Sequence, residues 1–174
     1  MNIFGLEIWD DETEKVTFYT VRWDDDKSIS ETDKFFQRMS SIPEMKLYVQ
    51  ELSKLIIEVI GNTYGAQESF FNRFENRATA LPPKGKIKIS ELELDYFGFP
   101  LRLYCLALSE ELVILFNGGI KNARTIQEST DVISAKFYEA NEFAKRIFEA
   151  LNSKEIFIDG RLLRYHDGSL EIYL

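Results

Sequence analysis

The chain has 174 residues, of which 45% are apolar and 29% charged, and its net charge is −8. That is the mix of a single globular domain with enough apolar material for a core. No apolar run reaches the roughly eighteen residues that a membrane span needs. The N-terminus lacks the basic and apolar regions of a signal peptide, and the single cysteine, Cys105, excludes an intrachain disulfide. A cytoplasmic protein with no membrane partner is expected. The charge is uneven: residues 1–33 hold ten acids and three bases, whereas residues 71–125 hold six acids and eight bases. A mildly basic middle therefore follows a strongly acidic start.

In chain order, "IFGLEIW" and "KVTFYTVRW" are rich in β-branched and aromatic residues and flank "DDETE", which predicts a β-hairpin. Ser30 with Asp33 three positions on is a capping pattern for a short helix over 31–40. Pro43 suits a helix's first turn. Beyond it Tyr48, Leu52, Leu55, Ile56 and Val59 recur on one helical face, with Gly61 as the stop. "AQESFFNRFENR" predicts a second short helix, and "ALPPKG" a break. "KIKIS" and "ELELDYF" alternate as strands. "LRLYCLAL" and "LVILFN" are two more, joined by a tight turn at Ser109–Glu111. Ile133, Phe137, Ala140, Ala144, Ile147 and Leu151 mark a long helix. The last twenty or so residues carry two Asp-Gly pairs between alternating runs, a hairpin signal. They predict a three-stranded meander that pairs with the N-terminal hairpin. Strands, helices, an antiparallel run, a helix and further strands together argue for an α+β fold.

Several chemistries are disfavoured. One His, His166, and one Cys fit no zinc pattern. "WDDDKSISE" lacks the glycine and terminal glutamate of a calcium loop and reads as a solvated acidic loop. Cys105 inside an apolar strand reads as a small hydrophobe rather than a nucleophile. No phosphate-binding or nucleophile-elbow motif occurs. No metal and no cofactor is expected.

The cations of residues 71–125 remain. Lys86 and Lys88 are two apart and share a strand face. Arg102 alternates with Leu101 and Leu103, so it is expected to face out with Tyr104. Lys121 and Arg124 follow the next strand. Gathered on one sheet face, such cations make a phosphate-binding surface. As the solvent side of a half-exposed sheet, they carry no function.

The segment from Lys84 to Leu151 resembles the RelE/HigB group of type II toxins. It offers "GKIKIS", "PLRLYCLAL", "ELVILFNGGIKNARTIQ" and "SAKFYEANEFAKRIFEAL" in the family's order: lysine strand, arginine strand, apolar strand with basic loop, and helix. The helices of 43–62 and 66–77 would form the family's helical hairpin. The resemblance implies a RelE-like core over about 17–151, within a single domain 1–174 carrying added strands at 1–16 and 152–174. It also implies a metal-independent endoribonuclease that cuts mRNA, often on the ribosome, and a cognate antitoxin as partner. In that mechanism the ribose 2′-hydroxyl attacks the adjacent phosphate while basic side chains stabilise the charge that builds there. Lys86, Lys88, Arg102 and Arg124 would be the catalytic set. Lys88 or Lys86 would relay a proton, Arg102 would clamp the phosphate, and Arg124 or Lys121 would stabilise the leaving group. Lys84, Lys121, Arg77 and Arg73 would bind RNA. The alternative is an inactive module of the same fold whose acidic N-terminal hairpin engages a basic protein.

Overall fold

The computed structural model describes residues 2–26, 29–121 and 130–174. Its chain order is β1 (Phe4–Asp10), β2 (Thr17–Trp23), α1 (Glu31–Ser40), a 3₁₀ turn (Pro43–Met45), α2 (Lys46–Lys54), a π-helix (Leu55–Tyr64) and a second 3₁₀ turn (Glu68–Phe71). β3 (Phe74–Glu75), β4 (Ala78–Leu81), β5 (Lys86–Ile89), β6 (Leu92–Asp95), β7 (Leu101–Ser109), β8 (Leu112–Ile120) and α3 (Thr130–Asn152) follow. The chain closes with β9 (Ile156–Asp159), β10 (Leu162–Tyr165) and β11 (Ile172–Tyr173). The result is a mixed α+β fold on a mostly antiparallel sheet.

Seven strands form that sheet, in the order β11-β1-β2-β8-β7-β4-β3. Its neighbours run antiparallel except β2 and β8, which are parallel from Thr17↔Leu112 to Thr20↔Leu115. Both faces of the centre are covered, so β8 is buried throughout. Alternation sends Leu101, Leu103, Val113 and Leu115 to one side, where they pack with Phe35 and Met39 of α1 and Leu52 of α2. Tyr104, Ile114 and Phe116 point to the other, against Ile133, Phe143, Ala144 and Ile147 of α3. Truncating any such fully buried Leu or Ile to Ala costs about 2–5 kcal/mol.

The cap at Ser30 forms, its hydroxyl accepting from the Asp33 amide. Three expectations are corrected. The helix after Pro43 does not stop at Gly61: it widens to i→i+5 bonding and ends at Gly65, whose amide donates to the Ile60 carbonyl (2.8 Å). The wider turn brings Ile60 rather than Val59 into the core. Gly61 serves close packing instead, since a Cβ there would meet the Thr13 side chain at 2.7 Å.

The helix expected over 66–77 is only the turn Glu68–Phe71 followed by β3, and Phe74 is exposed. Here Asn72 draws the chain away from helix by bonding the Lys84 backbone with both ends of its amide (2.6 and 3.2 Å). The terminal meander is split. β9 and β10 pair with each other, turning at Gly160 (φ 61°), while β11 leaves them and pairs with β1. The N- and C-terminal strands thus extend the main sheet. Among the described residues no helix is long and apolar enough to cross a membrane.

Candidate anion-binding site

Arg102 lies near the start of β7, opposite Gly119 of β8 and on the α3 side of the sheet. It was expected to face solvent beside Tyr104. It does share that residue's face, but α3 roofs the face, packing Phe137 against the Tyr104 ring at 6.0 Å, and Arg102 is only 8% exposed. Its Nη1 donates to the carbonyls of Phe99 (2.6 Å) and Leu101 (2.8 Å), and its buried Nε has no partner among the described residues. No carboxylate lies within ion-pair distance of it among the described residues. Burial and the neighbouring Arg73 charge lower its pKa to about 10, so it stays cationic at neutral pH. The Gly118-Gly119 pair makes this geometry possible: a Cβ on residue 118 would lie 1.8 Å from the Arg102 carbonyl oxygen.

Three further cations lie on the segments that meet here, and of these it is Arg73 whose charge acts on Arg102. Arg73 precedes β3, and its carbonyl accepts from the Ala80 amide of β4 (3.0 Å), while its Nε donates to the Pro82 carbonyl (3.2 Å). Lys84 is tied to the same place through Asn72. The Lys121 amide donates to the Pro100 carbonyl (2.8 Å), which continues the β7–β8 ladder and puts Lys121 on the Arg102 side by alternation. Glu75 is the carboxylate of the corner, and its charge acts on Arg73, Arg102 and Tyr104 alike. Burial, with Glu75 adding to it, pushes the Tyr104 phenol up. Ala78, Ala80 and Gly119 keep the floor low. Arg77 is exposed in the β3–β4 turn, where its amide donates to Asn141 Oδ1 of α3 (2.8 Å).

Lys86 and Lys88 do not share this sheet. They sit on β5, which pairs with β6 in a separate two-stranded sheet, with Lys86 opposite Asp95 and Lys88 opposite Glu93. Ile87, Leu92 and Leu94 pack the hairpin on the α1–α2 side, leaving both lysines exposed beside a shallow groove of about 450 Å³. Cross-strand charge pairing gives the lysines a local role. The strand next to β7 is β4, which carries no lysine. Even so, the hairpin springs from the same corner, because the Tyr96 amide donates to the Gly85 carbonyl (3.0 Å). Arg124 lies outside the described residues.

A second polar cluster escaped the sequence reading. β2 and β8 pair only as far as Thr20 and Leu115. Past that point the N-terminus of α1 reaches them: the Thr32 hydroxyl donates to the Phe116 carbonyl (2.9 Å) and lies 2.6 Å from the Thr20 hydroxyl. The carboxylate of Glu31, 1% exposed, accepts from Lys34 (2.8 Å) and from Asn117 (3.0 Å), with Lys136 of α3 at 3.5 Å. Burial pushes the Glu31 carboxyl up, but these cations and the Asn117 amide outweigh it and hold the group below its ordinary value. Glu139 beside it is raised, first by burial. Arg38 donates to Asn117 Oδ1 (3.3 Å) and to the Gly118 backbone carbonyl (2.5 Å), joining this cluster to the glycines behind Arg102. Asn117, a polar residue ending the apolar run "LVILF", was the visible signal.

The acidic N-terminal hairpin is partly occupied with its own chain. Glu7 pairs with Arg22 (2.8 Å), Asp33 accepts from Trp9 (2.9 Å), Asp26 pairs with Lys34, and Asp10 accepts from the Glu12 amide (3.1 Å). Cys105 is fully buried, and burial pushes its thiol up to about 12. Among the described residues no group of His, Cys, Asp and Glu is arranged to hold a metal ion. No family model, curated protein or solved structure matches the chain.

Proposed function

We propose that this chain is a RelE/HigB-like toxin, a ribonuclease that cleaves mRNA with basic side chains and is neutralised by a cognate antitoxin. The observation that carries the reading is the buried, charged Arg102, whose Nε has no partner among the described residues and which has the Arg73 charge beside it. Burying a cation without a counter-ion is costly, and a phosphate supplies both the missing charge and the missing acceptor. The succession β2, the Arg102 strand β7, the apolar strand β8 and α3 follows the resemblance, while β4 stands beside β7 where the resemblance has the lysine strand.

In this mechanism the 2′-hydroxyl attacks phosphorus and the P–O5′ bond breaks, leaving a 2′,3′-cyclic phosphate and a 5′-hydroxyl. Arg102 and Arg73 hold the non-bridging oxygens and offset the negative charge of the pentacoordinate state. Glu75, the carboxylate of the corner, accepts the 2′-hydroxyl proton, and Lys121 donates one to the departing oxygen. A net charge of −8 does not oppose this, because phosphate binding depends on the local field.

Induced expression in a bacterium tests it. Wild type should arrest growth and leave transcripts with 5′-hydroxyl ends, and Arg102→Gln with Lys121→Gln should abolish both. Unchanged growth and intact transcripts under wild-type expression would refute the ribonuclease reading.

A further inference from the structure

Phe97 is 92% exposed at the tip of the turn that links β6 to β7. The turn is rigid. The Phe99 amide donates to the Tyr96 carbonyl (3.1 Å), and Gly98 takes φ 72°, the third-position geometry of a type II turn. Both flanking aromatics are buried: Tyr96 meets Phe99 at 5.5 Å, and Tyr48 meets Phe99 at 5.2 Å. Asp95 fixes the Phe97 amide as well (3.0 Å). An apolar ring is thus presented to water on a frame that leaves its backbone little freedom.

A single exposed apolar side chain is ordinary. The position of Phe97 is less so, because its turn is the seam between the two groups of cations. On one side the Phe99 carbonyl holds the Arg102 guanidinium, with Lys121 bonded to Pro100 next door. On the other the Tyr96 amide bonds Gly85, between Lys84 and the Lys86–Lys88 strand. In the chain Phe97 stands between the hairpin lysines, which face Asp95 and Glu93 across β5 and β6, and Arg102. Cations that track a backbone, interleaved with an aromatic that stacks a base, are the working parts of a single-strand nucleic-acid site.

We infer that Phe97 is a base-stacking platform, and that the ligand of this corner is an unpaired RNA strand running from Lys86 and Lys84 over Phe97 to Arg102. The inference rests on the phosphate-binding reading above and adds the strand's path and the contact made by its base. Phe97 is a positioning residue: it touches a base and takes no part in proton transfer. Base–aromatic stacking accepts any base, with purines offering the larger face.

Binding of two uncleavable 2′-O-methyl pentanucleotides to the full chain tests it, one all-adenine and the other with the same backbone but abasic. Phe97→Ala should weaken the adenine strand roughly 5- to 150-fold, the range of one lost stack, and leave the abasic strand unchanged. Phe97→Tyr should restore adenine binding. Arg102→Gln should weaken both strands. If Arg102→Gln weakens both and Phe97→Ala changes neither, the stacking inference falls while the phosphate reading stands. Equal weakening of both strands by Phe97→Ala also overturns stacking, as does an effect of that variant on self-association alone. If wild type binds neither strand, both readings fall.

Discussion

Replacing Arg102 with methionine should make the folded protein more stable while removing its affinity for anions. The guanidinium is held at a pKa of about 10, well below its ordinary value. For a base depressed in the folded state, the protonated form is the one that folding disfavours. The cost is therefore present in full at neutral pH and fades only as pH rises through about 10 towards the group's ordinary value. At 1.36 kcal/mol per pH unit, it is on the order of 3 kcal/mol. Against it stand two bonds, to the Phe99 and Leu101 carbonyls, each worth about 1 kcal/mol. Methionine keeps most of the stem's packing and adapts to an irregular gap. The net expectation for Arg102→Met is a gain of about 1 kcal/mol, or about 2–4 °C in Tm for a chain of this size. Urea unfolding with linear extrapolation measures it. Added phosphate should raise the wild-type midpoint by mass action and leave the variant unmoved. A loss of more than about 1 kcal/mol in Arg102→Met would show that Arg102 is a structural strut and refute the reasoning.

Glu31→Gln should destabilise by about 3 kcal/mol in urea unfolding at neutral pH, because it removes the buried carboxylate that Lys34 and Lys136 share. The wild-type contribution of Glu31 should fade on acidification, since its folded pKa lies below the ordinary value and its stabilisation is lost as pH falls through it. Gly118→Ala should cost about 3 kcal/mol or prevent folding, as its Cβ would overlap a backbone carbonyl at 1.8 Å that cannot rotate aside; thermal unfolding checks it. Cys105 should resist an aromatic disulfide reagent at mildly alkaline pH in the native protein and react fully once unfolded, because its thiol is buried and raised to about 12.

The parts of the fold legible in sequence are those fixed by near neighbours. The Ser30–Asp33 cap, the tight β7–β8 turn and the face of α3 each depend on residues a few positions apart. The reading failed where bonds reach further. Nothing local announces that Asn72 binds the Lys84 backbone, and that contact turns an apparent helix into β3. Nor does a period of 3.6 reveal a switch to i→i+5 bonding after Lys54. For the site, residue type nominated the cations but strand pairing sorted them. Arg73, Lys84, Arg102 and Lys121 converge through contacts with Ala80, Asn72, Gly119 and Pro100. Lys86 and Lys88 matched the family's order of strands yet pair with β6, because the segment between them and Arg102 is long enough to fold back as its own hairpin.

The single parallel junction of the sheet has a consequence for how the chain is made. Thr17 of β2 bonds across to Leu112 of β8, so the hairpin leaves the ribosome long before the strand that completes it. Through that interval β2, with Phe18, Tyr19 and Val21 destined for full burial, offers an open edge to any passing strand. The clusters Asp10–Asp11–Glu12 and Asp24–Asp25–Asp26 sit at either end of that exposed segment. Like charges there repel a second nascent copy and act as gatekeepers during synthesis. The acidity of the N-terminal hairpin thus opposes pairing between unfinished sheets until β8 arrives.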